Sequence, residues 1–111
     1  MRRTSAVIGT AAATLAFLAP AGMAAAAPAE PSYTVVPYEN VNVRQLPQKN
    51  SAYLATLTAG RSYTAYCWTI GESITDHGIT NNIWISFADG YSSAVYFKGD
   101  QYGNLPASAR C

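Results

Sequence analysis

The residues able to do chemistry in this 111-residue chain are few: one histidine, two cysteines and six carboxylates. His77 directly follows Asp76, a neighbour pair that invites comparison with a hydrolase triad. A triad base needs its carboxylate oriented across space, whereas Asp76-His77-Gly78 has the composition of a tight turn, in which adjacent side chains are expected to point apart. A structural zinc site needs about four ligands, and two cysteines with one histidine at this spacing do not supply them. Glu39, Glu72, Asp76, Asp89 and Asp100 all fall in segments predicted as loops, with no apolar flank to raise a pKa for glycoside hydrolysis. No catalytic residue, metal ligand or cofactor is therefore assigned, and a small hydrolase working through His77 stands behind two binding readings.

The two cysteines, Cys67 and Cys111, are read through the start of the chain. Arg2 and Arg3 form a positive n-region, Ala6 to Ala19 is an almost unbroken small or apolar run, and Pro20 to Ala27 is rich in small residues. This is the pattern of a secretory signal peptide over residues 1–26, with alanine at 24 and 26 before the cleavage point. The apolar run is shorter than the ~20 residues needed to cross a bilayer, so no membrane span is expected after cleavage. In an exported chain two cysteines pair, and a Cys67–Cys111 disulfide would tie a central strand to the C-terminus. Neither sulfur is then available as a thiolate nucleophile. The expected location is extracellular, with cell-wall association as one form of it.

Cleavage would leave 85 residues, enough for one domain with a small core. Five basic side chains, Arg44, Lys49, Arg61, Lys98 and Arg110, would then face six acidic ones. Without a basic surplus, neither nucleic acid nor anionic lipid is an expected partner. The same segment holds eight tyrosines, two tryptophans and two phenylalanines, and those rings are the chain's main resource for contact.

The elements that would position these rings are strands. Residues 27–32 read as a flexible lead-in. Tyr33 to Val36 is β-branched and aromatic, and Val41-Asn42-Val43-Arg44 alternates with period two, which predicts Val41 and Val43 inward and Asn42 and Arg44 outward. Gln45 to Ser51 is a loop, and Tyr53 to Leu57 a short strand with Leu54 near the core. Arg61 to Trp68 is the clearest strand, with Tyr63, Ala65 and Cys67 on one face and Thr64, Tyr66 and Trp68 on the other. A hairpin with its tip at Asp76 to Gly78 follows, then the strand Ile83 to Phe87, the turn Asp89-Gly90, and a last strand from Tyr91 that can end in a helical turn. Tyr63, Ile85 and Phe87 are expected in the core. With no sustained helical period, the fold class is all-β, a small barrel of five to six short strands. Lys98 to Cys111 has little apolar surface, so its attachment is expected to depend on the disulfide.

The order of these pieces resembles the bacterial SH3-like (SH3b) domain over residues 33–111. Residues 41 to 51 look like that family's opening N-V-R-x-x-P-x-x-x-S, and Leu54 to Gly60 like its G-T-L-x-x-G hairpin, with Ala55 where glycine is usual. Trp84 sits like the family's tryptophan, and Gly90 to Tyr96 resembles its closing G-Y-V-S-x-x-Y. Cysteines at the end of the third strand and at the C-terminus are similar to those of small secreted actinobacterial forms. Leu46 and Ser92 depart from the pattern, the first replacing a glycine and the second a residue usually apolar. The resemblance implies an SH3-like barrel and a non-catalytic module that recognises cell-wall peptide or peptidoglycan.

Asn42, Arg44, Tyr53, Trp84, Tyr91 and Tyr96 form the candidate ligand-binding set. Flat rings supply contact area at low entropy cost, and Asn42 or Arg44 could fix a peptide or sugar by hydrogen bonds. The competing expectation for Trp84 is that it only packs. The second function class is a secreted inhibitor or interaction protein acting on another protein through the exposed 69–82 segment, with Asp76 to Ile79 at its centre.

Overall fold

The structure, a computed structural model, describes residues 30–111. The signal peptide read over 1–26 and the first half of the lead-in lie outside the described residues. Seven strands follow in chain order: β1 (Tyr33–Val35), β2 (Val41–Arg44), β3 (Tyr53–Leu57), β4 (Tyr63–Ala65), β5 (Cys67–Asp76), β6 (Ile79–Ser86) and β7 (Tyr91–Ser93). A 3-10 turn, Ala94–Tyr96, closes β7, and the Ser93 hydroxyl caps it by accepting the Val95 N–H. The all-β class is as expected. No described helix is long and apolar enough to cross a membrane.

The strands do not close into the expected barrel. They form an open antiparallel sheet in the order β3-β2-β7-β6-β5 and a separate two-stranded ribbon of β1 with β4. The division is made at two corners. After β3, Gly60 takes φ +80°, and its N–H donates to Pro37 O at 2.8 Å, which turns the chain away from β3 and onto β1. At Tyr66 the predicted Arg61–Trp68 strand breaks. β4 pairs with β1, whereas β5 pairs with β6, with Cys67 opposite Ser86.

That break corrects the expected faces. A change of sheet shifts the alternation, so Ala65 and Trp68, three residues apart, both point into the core instead of lying on opposite faces. Trp68 is buried. Val41, Val43, Ile85 and Phe87 are buried as the alternation predicts, and Tyr63 packs half-buried against them. Leu54 is not in the core. The β2–β3 register slips between Val43 and Arg44, leaving Leu54 as the extra residue of a bulge, exposed over Gly90. Ser92 is fully buried at its unusual position because its hydroxyl donates to Asn42 O at 2.8 Å.

The hairpin is longer than its sequence suggested, with β5 of ten residues against β6 of eight. Its two-residue tip has His77 at φ +52° and Gly78 at φ +76°, the pair of left-handed conformations that matches strand twist in a tight hairpin. The Asp76–Gly78 tip is thus where Asp-His-Gly predicted it.

Cys67 and Cys111 are disulfide-bonded, with Cα atoms 5.0 Å apart. The tail is nonetheless held by much more than this bond. Leu105 is buried in the main core, and Tyr102 stacks on Trp68 with ring centroids 4.8 Å apart. The Trp68 indole N–H points at Pro106 O and Ala107 O, both at 3.2 Å. Backbone bonds from Trp68 N to Ala109 O and from Cys111 N to Trp68 O lay the tail alongside the start of β5. The expectation of a tail with little apolar surface therefore missed one leucine and one tyrosine that act as anchors.

Candidate ligand-binding site

Strand β2 builds the floor of the site. Because Val41 and Val43 face inward, Asn42 and Arg44 project outward, and the sheet order sets β3 on one side of them and β7 on the other. Arg44 is paired with Tyr53 of β3 and with Tyr91 of β7. Of the six predicted residues, Asn42, Arg44, Trp84 and Tyr96 line one cavity of about 160 Å³. Tyr53 and Tyr91 do not line it. Tyr53 is exposed beside Arg44, its hydroxyl 2.7 Å from Thr56 Oγ1, and Tyr91 packs against the small cluster of Ile74, Trp84 and Val95.

Each wall has its own support. The Arg44 guanidinium donates one hydrogen bond to Ser51 O at 3.2 Å, which leaves most of its fork of donors uncommitted among the described residues. Trp84 is only 2% exposed, and its indole N–H donates to Glu72 O at 2.8 Å, so it serves as a fixed wall and not as a stacking platform. Glu72 also holds the 45–52 loop: its carboxylate accepts the Lys49 N–H at 2.8 Å and its own N–H donates to Pro47 O at 3.0 Å. Gly71 permits this approach, since an added Cβ would overlap Pro47 O and Trp84 Cδ1. The loop thereby brings Lys49 to the cavity, opposite in charge to Glu39, which also lines it.

Glu39, Lys49 and Glu72 were not in the predicted binding set. Glu72 and Asp76 are on β5, not in loops, and Glu39 is placed by the short β1–β2 connection. Glu39 also overturns the expectation that no carboxyl has a raised pKa. Partial burial pushes it above the ordinary carboxylate range, helped by a hydrogen bond and negative charge from Asp76 and opposed by His77. The Tyr96 hydroxyl is raised first by burial and then by the charges of Asp76 and Glu39.

Asp76 and His77 do not point apart. At the hairpin tip His77 Nδ1 lies 2.7 Å from Asp76 Oδ2 and 3.3 Å from Glu39 Oε1. The imidazole also packs on the Tyr38 ring, with centroids 4.9 Å apart, and the Tyr38 hydroxyl donates to Val95 O. With both cysteines bonded, none of the described groups beside His77 is a thiol that it could activate.

A wider, more open groove of about 560 Å³ lies between Tyr38, Ile79 and residues 97–101. It holds none of the six predicted residues. The smaller cavity is where side chains of both charge signs converge with four of the six. Comparison of the chain with protein-family models, with curated proteins and with solved structures returned no match.

Proposed function

We propose that the protein is an exported, non-catalytic SH3-like binding module that recognises cell-wall peptide or peptidoglycan, or another extended peptide. The observation that carries this reading is the convergence of Asn42, Arg44 and Tyr96 with Lys49 and Glu39 around one cavity walled by Trp84. A cavity of that size takes one side chain or chain end, not a whole oligosaccharide, and its two charge signs suit a segment bearing both a carboxylate and an ammonium group. The outward fork of Arg44 is suited to a carboxylate, and Glu39 to a cation. The disulfide supports export, because such a bond persists in oxidising compartments.

Retention on purified peptidoglycan tests the reading. The protein is expected to co-sediment with the wall at low salt, and Arg44→Ala to reduce the retained fraction by about tenfold, the loss of one charge-assisted contact. No retention of the unmodified protein at low salt would sink the proposal. A second reading, an inhibitor or interaction protein, draws on the hairpin, where Ile79 is 57% exposed next to the wider groove. Alanine at Asp76 to Ile79 would abolish inhibition and spare wall binding if that reading is right.

A further inference from the structure

Glu39, Asp76 and His77 come from two separate parts of the chain, the β1–β2 connection and the β5–β6 tip, and their donor atoms all lie within 4.8 Å of one another. Both carboxylates reach the same imidazole nitrogen, and among the described residues the only ion pairs that either makes are with His77. Two carboxylate oxygens and one ring nitrogen gathered within 4.8 Å converge on a single point, where a cation would relieve the repulsion between the carboxylates.

We propose that Glu39, Asp76 and His77 form a three-donor site for a divalent cation of the zinc type. Tetrahedral zinc with bonds of about 2.0–2.1 Å sets its ligand atoms roughly 3.3 Å apart, and His77 Nδ1 is 3.3 Å from Glu39 Oε1. The Nδ1 to Asp76 Oδ2 distance of 2.7 Å is that of a hydrogen bond, and a small rotation of the Asp76 carboxylate opens it. One imidazole nitrogen with two carboxylate oxygens selects zinc, cobalt, nickel or copper over calcium and magnesium, which need more oxygens. Three protein ligands leave a fourth position open to water or to an incoming ligand.

The donors are supported for this task. His77 and Asp76 are fixed by the tight turn and by the register that pairs Asp76 with Ile79. The Tyr38 ring backs the imidazole, and its hydroxyl is anchored on Val95 O. Coordination uses the Nδ1 lone pair of the neutral imidazole with its one N–H on Nε2, so a proton carried by an imidazolium goes to solvent on binding. Fixed by this ion, the hairpin tip and the β1–β2 connection become one cross-linked unit at the Glu39 end of the cavity.

Calorimetric titration of the untagged, oxidised protein with zinc chloride in a non-coordinating buffer tests the site, with calcium as the control. One equivalent of zinc is expected to bind and raise the melting temperature, with no response to calcium. Glu39→Gln and His77→Asn should each weaken zinc binding at least about tenfold, and asparagine keeps the turn because it tolerates the left-handed conformation. Absence of zinc binding overturns the proposal, as does a wild-type response in either variant, since the loss of only one donor's effect reduces the event to adventitious surface binding. The inference rests on donor geometry and not on the peptide reading, so Arg44→Ala should lose wall retention and keep zinc.

Discussion

Replacing both Cys67 and Cys111 with alanine separates what the disulfide contributes from what the tail contributes by itself. The bond spans 44 residues, and the loop-closure entropy it removes from the unfolded chain corresponds to about 4 kcal/mol. For a domain of this size that loss lowers the melting temperature by roughly 15–30 °C. The tail, however, keeps Leu105 in the core, Tyr102 against Trp68, and the backbone bonds between Trp68 and the segment 109–111. Leu105 alone, truncated to alanine, would cost about 2–5 kcal/mol. The double variant at low temperature should therefore be less stable yet have its tail docked. Hydrogen exchange would show the Leu105 and Ala109 amides protected, and Trp68 emission unshifted, until Leu105→Ala is added. Free exchange throughout residues 99–111 of the double variant, with the Ile85 amide still protected, would refute the reasoning and make the disulfide the tail's sole attachment.

Gly71→Ala forces a Cβ into Pro47 O and Trp84 Cδ1. It should destabilise the fold by about 1–3 kcal/mol in urea titration and loosen the 45–52 loop, which is readable as weakened wall retention. The tyrosines should titrate apart in ultraviolet spectra. Tyr63 ionises below its ordinary range because its hydroxyl oxygen accepts the Thr58 N–H, and Tyr96 ionises above it because burial and nearby carboxylates disfavour the phenolate. Tyr63→Phe should thus remove an early step of the titration and Tyr96→Phe a late one. Trp84→Phe keeps a ring in the wall but removes the indole donor to Glu72 O. An expected loss of about 1–3 kcal/mol in stability, with wall retention lowered less than in Arg44→Ala, would assign Trp84 to support and not to contact.

Period-two alternation located β2 and β6 and their buried faces, because both strands lie inside one sheet and keep a single phase. It failed for Arg61 to Trp68, where alternation is local but the choice of partner is not. Tyr66 looks like any other strand residue, yet its N–H bonds to Ser86 O at 2.9 Å as the chain leaves β1 for β6. The resulting phase shift turned Trp68 inward. Leu54 failed for a related reason, since a bulge adds one residue that no pattern of apolar positions reveals. Turn chemistry was the more dependable guide. Asp-His-Gly fixed the hairpin tip because two successive left-handed residues admit few side chains.

The candidate site was legible to the extent that it lies on one strand and its neighbours. Asn42 and Arg44 follow from the alternation of β2, and Trp84 and Tyr96 join them because β7 and its closing turn sit between β2 and β6. The other charged residues could not be placed there for a physical reason. Glu39, Lys49 and Glu72 have no periodicity, and what gathers them is the close approach of the 45–52 loop to Gly71 and of the β1–β2 connection to the hairpin tip. Read as separate loop carboxylates, Glu39 and Asp76 are solvated charges without consequence. Brought together against one imidazole and one tyrosine ring, they become a cation-binding geometry. The hairpin tip, expected to reverse the chain and to centre an exposed interaction segment, is under this proposal also the place where the sheet can be fastened to the mouth of the cavity.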